Sequence, residues 1–430
     1  MNDTTKRLPQ GFYRTTIMIG VGFFTMGLMD PLYDNYVPVF LSGFLESRAA
    51  IGGFMTIDNI MALILIPLVT GLSDKARTSI GRRMPYILVT LPASAVLFAL
   101  LPRAGMTSLS VFVATLVAFN LFKQSARGPI VALMPDTIPN EYRSEANGVI
   151  NMMGGIAAVV GTLALAPLMD ARIVLPVIGD TSRQLPFMIS GVLIIVAVVS
   201  LFSTVKEKRL TDSEPPRQSV LESIKNIFEQ SDKSAVYILI ALFLWFTAYW
   251  AMRPFMTLYV IEYLELSEGL AGFSTGMFAV AYLAFAIPSG IVAHRIGRKR
   301  TIRISLLGMA AMALLMFTHE FWTIELGASQ TLAVGSFWAL LFVFGIFWGA
   351  ANTNSFPMLW QMADFDTMGA YTGVYYVFSQ SAAIFAPPIT GGIVDLVGFR
   401  AIFLVTAVVM VASFLVLGKV RGGETTRARR

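Results

Sequence analysis

Stretches of about 20 apolar residues recur along almost the whole chain, separated by short polar breaks. No other feature restricts the fold so strongly. In lipid a backbone amide finds no water, so each such stretch must satisfy its hydrogen bonds internally, as a helix does. Twelve spans are expected, near 15–41, 51–73, 85–102, 109–133, 145–169, 185–205, 235–262, 270–293, 301–318, 333–361, 369–394 and 398–418. Only 13% of the residues are charged, against about 25% in an ordinary soluble domain. The first run is too long for a signal peptide and lacks a small-residue cleavage site, so it reads as a retained helix. The expected class is an all-α integral membrane protein of twelve transmembrane helices.

Orientation follows from Lys and Arg. Of 32 such residues, 24 fall on one set of loops and termini, including Lys75, Arg77, Arg82 and Arg83, and Arg295 to Arg303. Five (Arg48, Arg103, Arg172, Arg183, Arg400) fall on the other set, and Lys123, Arg127 and Arg253 lie inside spans. This bias places both termini in the cytoplasm. It also accounts for the formal charge of +6 without a nucleic-acid partner. With no Cys and two His, His294 and His319, at opposite membrane faces, neither a metal cluster nor a nucleophile–base pair can be assembled. No enzyme activity, metal or cofactor is expected.

The one long polar stretch, "KEKRLTDSEPPRQ" (Lys206–Gln218), reads as a linker. After it, Val220, Ile224, Ile227 and Phe228 share a helical face, as in a helix lying on the inner membrane surface. The organisation expected is a six-helix bundle in 1–205, a cytoplasmic linker with a short amphipathic helix in 206–234, and a second bundle with a tail in 235–430. The halves are related. Pro31, Tyr36 and Val37 of "DPLYDNYVPVFL" align with Pro254, Tyr259 and Val260 of "RPFMTLYVIEYL", "GRR" (81–83) aligns with "GRK" (297–299), and Pro129 and Asp136 align with Pro357 and Asp364. Repeats of like orientation imply two bundles related by a pseudo-two-fold axis along the membrane normal.

At these residues the chain resembles the major facilitator superfamily. The family's signature after its second helix is Gly, three residues, Asp, a basic residue and Gly-Arg-Arg/Lys. Here the segment reads "GLSDKARTSIGRRMPY" (Gly71–Tyr86), and its second copy is "GIVAHRIGRK", with His294 where Asp is usual. Gly71 stands three rather than four residues before Asp74, and six residues rather than two separate Asp74 from Gly81. The longer loop, "RRMPY", "TIDNI" and "PDTIPNEYRSEANGVIN" resemble the glycoside–pentoside–hexuronide:cation symporters and the proton-linked sucrose transporters. The resemblance implies two bundles with helices 1 and 7 facing across a central cavity. Sodium-coupled members carry two carboxylates a turn apart on helix 2. Here Asp58 has Phe54 and Ala62 at those spacings, which implies H⁺ coupling.

Within the spans stand Asp30, Asp34, Asp58, Lys123, Arg127 and Arg253. Each costs at least ~2.5–3.5 kcal/mol at mid-membrane, so idle placement is disfavoured. At about 1.5 Å per residue, Asp34, Asp58, Arg253 and Asp30 share a layer about 10–16 Å deep, and Lys123 lies about a turn below. Arg127, about 27 Å deep by the same count, is expected at an inner gate with Asp136, Glu141 or Glu145. The repeat makes Asp30 and Arg253 pseudo-equivalent, each preceding a proline that permits a bend. Proton coupling is therefore assigned to Asp30, Asp34, Asp58, Arg253 and Lys123, with static salt bridges as the plainer reading. Asp74, Arg82, Arg83, Arg127, Asp136, His294, Arg298 and Asp364 are the gating candidates.

Asn35, Tyr36, Asn59, Asn120, Gln124, Tyr249, Trp250, Asn352, Tyr375, Tyr376 and Gln380 supply hydrogen-bonding and aromatic side chains suited to a hydroxyl-rich solute. Interhelical hydrogen bonding and interfacial aromatic belts are the ordinary alternative, and fit Trp360 best. The reading is a secondary transporter that moves a glycoside or oligosaccharide with H⁺. Its partners are the solute, the proton and membrane lipids, it is a monomer, and it sits in a bacterial cytoplasmic membrane. The rivals are an exporter or flippase of an amphipathic molecule, for which 23 Met would also serve, and a non-transporting receptor.

Overall fold

A computed structural model of the chain describes residues 11–139, 142–176, 179–207, 220–229, 232–362 and 368–421. Among them, twelve helices are long and apolar enough to span a membrane. They are α1 (Phe12–Ser42), α2 (Arg48–Lys75), α3 (Met84–Gly105), α4 (Leu109–Thr137), α5 (Glu145–Asp170) and α6 (Leu185–Thr204), then α7 (Ser234–Tyr263), α8 (Glu268–Ile296), α9 (Arg298–Phe317), α10 (Gln330–Trp360), α11 (Tyr371–Val397) and α12 (Ala401–Gly418). Every expected span is present. Four helices of one direction, α2, α4, α8 and α10, start at a serine whose hydroxyl accepts from the third amide of the helix: Ser47, Ser108, Ser267 and Ser329. This cap meets one of the four amides that a helix start leaves open.

Three spans are irregular. α2 breaks at Thr56, between Arg48–Met55 and Ile57–Lys75. α5 passes into a π turn at Val160–Leu165 and a 3₁₀ turn at Ala166–Asp170. α7 tightens to 3₁₀ at Arg253–Phe255, where Pro254 supplies no amide to the ladder. The matching Pro31 leaves α1 continuous. A two-stranded hairpin, Val174–Leu175 with Gly179–Asp180, was not expected from sequence.

The chain forms two compact units, Met1–Tyr33 with Ile60–Asp212, and Asp34–Asn59 with Ser213–Arg430. One boundary falls in the expected linker. The others fall inside α1 and beside the break in α2. In the first unit α3 packs against α4 and α6, and Gly27 of α1 lies so close to Gly154 of α5 that a Cβ would come 2.2 Å from its carbonyl oxygen. In the second unit α10 packs against α8 and α9, α7 against α11 and α12, and the N-terminal segment of α2, Arg48–Met55, against α11. The linker helix Val220–Glu229 packs on α11 and α7, with Ile227 buried and Phe228 exposed.

The α2–α11 contact is backbone on backbone. A Cβ at Gly52 would stand 2.3 Å from the Pro387 carbonyl oxygen, and one at Gly391 would stand 2.2 Å from that of Arg48. At its end the Asp395 carboxylate accepts from Ser47 Oγ (2.8 Å) and from the amides of Arg48 (2.6 Å) and Ala49 (3.0 Å). An anion at a helix N-terminus is favoured by both the open amides and the dipole. Arg48 Nη2 reaches Glu262 Oε1 at 2.8 Å. Gly52→Ala and Gly391→Ala are therefore expected to destabilise by about 1–3 kcal/mol through overpacking. Gly53, with nothing within 4 Å of a built Cβ, provides the control: Gly53→Ala should leave the thermal midpoint of the purified protein unchanged.

His319, in the α9–α10 connection, is wholly buried against Trp322 and Phe337, with Nε2 3.0 Å from Ser336 Oγ. Burial holds its pKa below the ordinary 6.5. The unfolded chain then binds the proton more readily, so the neutral ring's contribution is complete above about 6.5 and is lost as pH falls towards the lowered folded value. Thermal midpoints should decline below that pH, and His319→Gln should flatten the decline.

Candidate functional site

Three clusters of charge are built on these helices. In the first unit Lys123 of α4 is 1% exposed, and its Nζ lies 2.6 Å from Asp30 Oδ1 on α1. The ammonium sits over the rings of Tyr33 (4.9 Å) and Phe119 (5.7 Å), a cation–π setting. Asn120 Nδ2 donates to the Tyr33 hydroxyl at 3.1 Å. Asp30 itself is partly exposed.

Arg127 corrects the depth count. Its Nη1 lies 4.0 Å from Asp30 Oδ2, whereas Asp136 is bound by Arg82 and Arg83. Lys123 and Arg127 are four residues apart, hence on one face of α4. Helical side chains lean towards the helix N-terminus, which carries the long guanidinium back up to Asp30. Glu145 is exposed, and Glu141 lies outside the described residues.

In the second unit Arg253 Nε donates to Asp34 Oδ2 at 3.0 Å, and Asp34 is only 8% exposed. The symmetry of the repeat pointed Arg253 at Asp30; the ion pair it makes is one turn further along α1. Asn35 Nδ2 donates to Thr275 Oγ1 (2.9 Å), and its Oδ1 accepts from Thr257 (3.3 Å). A small cleft opens beside this pair, lined by Asn35, Tyr249, Arg253, Met256, Thr275 and Phe278 among others. An aromatic wall continues from it. Tyr249 stacks on Trp348 with centroids 4.0 Å apart, Phe246 meets Trp348 and Tyr375 edge-on, and Phe356 stacks on Tyr375 at 3.7 Å. Trp250 and Tyr376 touch its two ends through Tyr249 and Tyr375. Sequence reasoning missed Phe246, Phe278, Trp348 and Phe356. Their spacing is that of any apolar helix, and only the fold brings them together.

Other candidates make contacts of their own. Asp58 accepts from Asn59 at 2.7 Å. Tyr36 donates to the Glu268 carbonyl, Asn352 to the Trp348 carbonyl of its own helix, and Gln380 is half-buried.

The third cluster lies at the C-terminal end of α2. Arg83, 4% exposed, donates to Asp136 (2.8 Å), to Ser73 Oγ (2.5 Å) and to Asp74. Arg82 makes two bonds to Asp136 (2.6 and 3.0 Å), which raise its pKa further. Glu207, unforeseen, accepts from the Arg83 amide at 3.0 Å and approaches Arg82 at 3.7 Å. Gly81, at φ +110°, leaves space for that carboxylate. In the second copy His294 is exposed, Arg298 donates to the Pro357 carbonyl (3.3 Å), and Asp364 lies outside the described residues.

The chain matches the Major Facilitator Superfamily over residues 19–273 and 238–429. It belongs to that superfamily. Among its relatives, the tetracycline resistance protein, class H, of Pasteurella multocida is 24% identical over 336 residues, covering 74% of this chain and 75% of its own. The multidrug resistance protein MdtG of Escherichia coli (strain K12 / DH10B) is 23% identical over 419 residues, 94% and 93% of the two chains. Among solved structures, a mutant of the nucleoside transporter NupG superposes with a TM-score of 0.74 at 11% identity, covering 95% of this chain and all of that one. A D-xylose-proton symporter gives 0.66 at 15%, covering 96% and 98%. At these identities the structures speak for the fold. Family and fold are those of multi-pass membrane transporters.

Replacing Asp136 by Asn would remove one of the two carboxylates on the buried Arg83, and with it the carboxylate that Arg82 shares. Asp136→Asn should cost roughly 3–5 kcal/mol, while Arg82→Gln, at a more exposed position, should cost about 1 kcal/mol or less. Thermal unfolding of the two purified variants in detergent compares them.

Proposed function

We propose that this chain is an H⁺-coupled secondary transporter of a small solute, with Asp30 as the proton carrier. One observation carries the reading: a partly exposed carboxylate inside a membrane-spanning helix is held by a buried ammonium. A proton and Lys123 compete for the same oxygens. Burial raises the cost of the carboxylate and the cation lowers it, so proton affinity depends on how closely Lys123 approaches. Any movement that alters that distance moves a proton. The Asp34–Arg253 pair beside the cleft supplies a second charged contact that a solute hydroxyl can enter.

For the cargo we favour a ring-bearing polar solute such as a glycoside or oligosaccharide. The support is the resemblance to the glycoside and sucrose transporter group, the Asn35–Thr257–Thr275 network, and the stacking faces of Tyr249 and Tyr375. A second reading, export of an amphipathic molecule, is favoured by a different observation. Asn352 and Asn354 donate to carbonyls of their own helix, so the wall beside the cleft is mainly aromatic. The resistance proteins among the relatives fit that reading. The inner cluster around Arg83 is assigned to gating, both termini to the cytoplasm, and the protein to a bacterial cytoplasmic membrane as a monomer.

Thermal-shift screening against sugars, nucleosides and lysolipids separates the cargo readings: stabilisation by a sugar alone supports the first, and by a lysolipid alone the second. In proteoliposomes with the solute so found, Asp30→Asn should abolish accumulation against a gradient yet retain downhill exchange, because the amide mimics the protonated acid. Arg253→Ala should abolish both. Accumulation that survives in Asp30→Asn would move the coupling to Asp34 or Asp58.

A further inference from the structure

Beside the Asp30–Lys123 pair stand two buried acceptors without a hydrogen bond, Asn120 Oδ1 and Gln124 Oε1. Both residues are 1% exposed or less. They lie four residues apart on one face of α4, and Lys123 belongs to the same turn, three residues after Asn120 and next to Gln124. The Tyr33 ring links Lys123 to Asn120: its face underlies the ammonium and its hydroxyl accepts from Asn120 Nδ2. Leaving a buried carbonyl unbonded costs about 1–3 kcal/mol, and that cost is recovered only in a state that brings a donor to it.

Proton binding creates the need for such a state. When the Asp30 carboxylate takes up a proton it becomes a neutral acid. Lys123 remains an ammonium with three N–H groups and loses its counter-charge in a region of low dielectric, which costs several kcal/mol unless polar groups replace it. Among the charged groups facing Asp30, α4 supplies Lys123 and Arg127. The face of α5 packed on α1 around Gly154 carries no titratable residue, and α1 itself adds Asp34 one turn on. Among the described residues of α4, the turns around Lys123 carry no carboxylate to receive the ammonium.

We propose that Asn120 and Gln124 hold the Lys123 ammonium while Asp30 is protonated, so that the cation has two positions, one on the carboxylate and one on the paired amide carbonyls above the Tyr33 and Phe119 rings. The two amides are positioning residues that set the proton affinity of Asp30 through Lys123. This rests on the reading of Asp30 as proton carrier and adds where the displaced charge goes. The donated proton stays on Asp30, and Lys123 neither gains nor loses one.

The test needs no transported solute. Infrared titration of the purified protein follows the protonated-carboxyl band, and the component missing from Asp30→Asn reports Asp30. Gln124→Met keeps shape, breaks no hydrogen bond of its side chain in this structure, and removes one acceptor. It should lower the Asp30 midpoint by about one pH unit, a tenfold change in proton concentration, with a thermal midpoint at alkaline pH equal to or above that of the native chain. Asn120→Leu added to it should lower the midpoint further. In a Lys123→Met background Gln124→Met should have no effect, because no ammonium needs a second position. An unchanged midpoint in Gln124→Met overturns the inference while Asp30 remains the carrier. The same shift with and without Lys123 also overturns it. If no carboxyl component disappears in Asp30→Asn, Asp30 does not titrate, and the reading of it as proton carrier falls as well.

Discussion

The cost of charge in hydrocarbon governs this molecule. A lone Asp, Lys or Arg at mid-membrane is disfavoured by at least ~2.5–3.5 kcal/mol, so an opposite charge close by matters. α1 carries two acids a single turn apart, and they take bases from different compact units: Asp30 from Lys123 in the first, Asp34 from Arg253 in the second. The same helix thus passes from one unit into the other between Tyr33 and Asp34. Each of the two acids meets its base within its own unit.

The polar inventory contracts when geometry is applied to it. Asn amides written among apolar residues look like solute ligands, yet a helix offers each of them a carbonyl one turn back, and Asn352, Asn354 and Asn120 take it. What remains beside the cleft is a charge pair, one amide–hydroxyl network and a continuous run of rings. Ring faces bind other rings, sugars included, with little regard for the pattern of hydroxyls. On the proposed function, such a site would select by shape and by the few polar contacts at Asn35, Thr275 and Arg253.

Helix number, span limits and membrane class were legible because hydropathy at this period has few interpretations. The α7 irregularity at Pro254 followed from local chemistry. The repeat aligned Arg253 with Asp30, whereas its guanidinium meets Asp34 one turn along, since alignment fixes a residue's level better than its direction. Arg127 was misassigned for a related reason: depth was counted along Cα positions, and a guanidinium reaches well beyond its own. Glu207 and Asp395 were illegible. Each lies in a connection or at a helix end, and each acts on groups more than 100 residues away, which no local pattern announces. The aromatic wall was half seen, because rings on four helices become one surface only after folding.

Asp395 completes the start of α2 across nearly the whole chain: its partners Ser47, Arg48 and Ala49 precede it by 346 to 348 residues. Synthesis therefore produces the acceptor long after the amides it serves. Until α11 is inserted, the first turn of α2 has only Ser47 to close it, and the glycine face of that turn has no backbone to lie against. The N-terminal end of one of the earliest helices is thus finished by one of the last. During biogenesis this corner of the molecule records how much of the protein has been made, and a membrane chaperone or protease that recognises open helix ends would find one there until assembly is nearly complete.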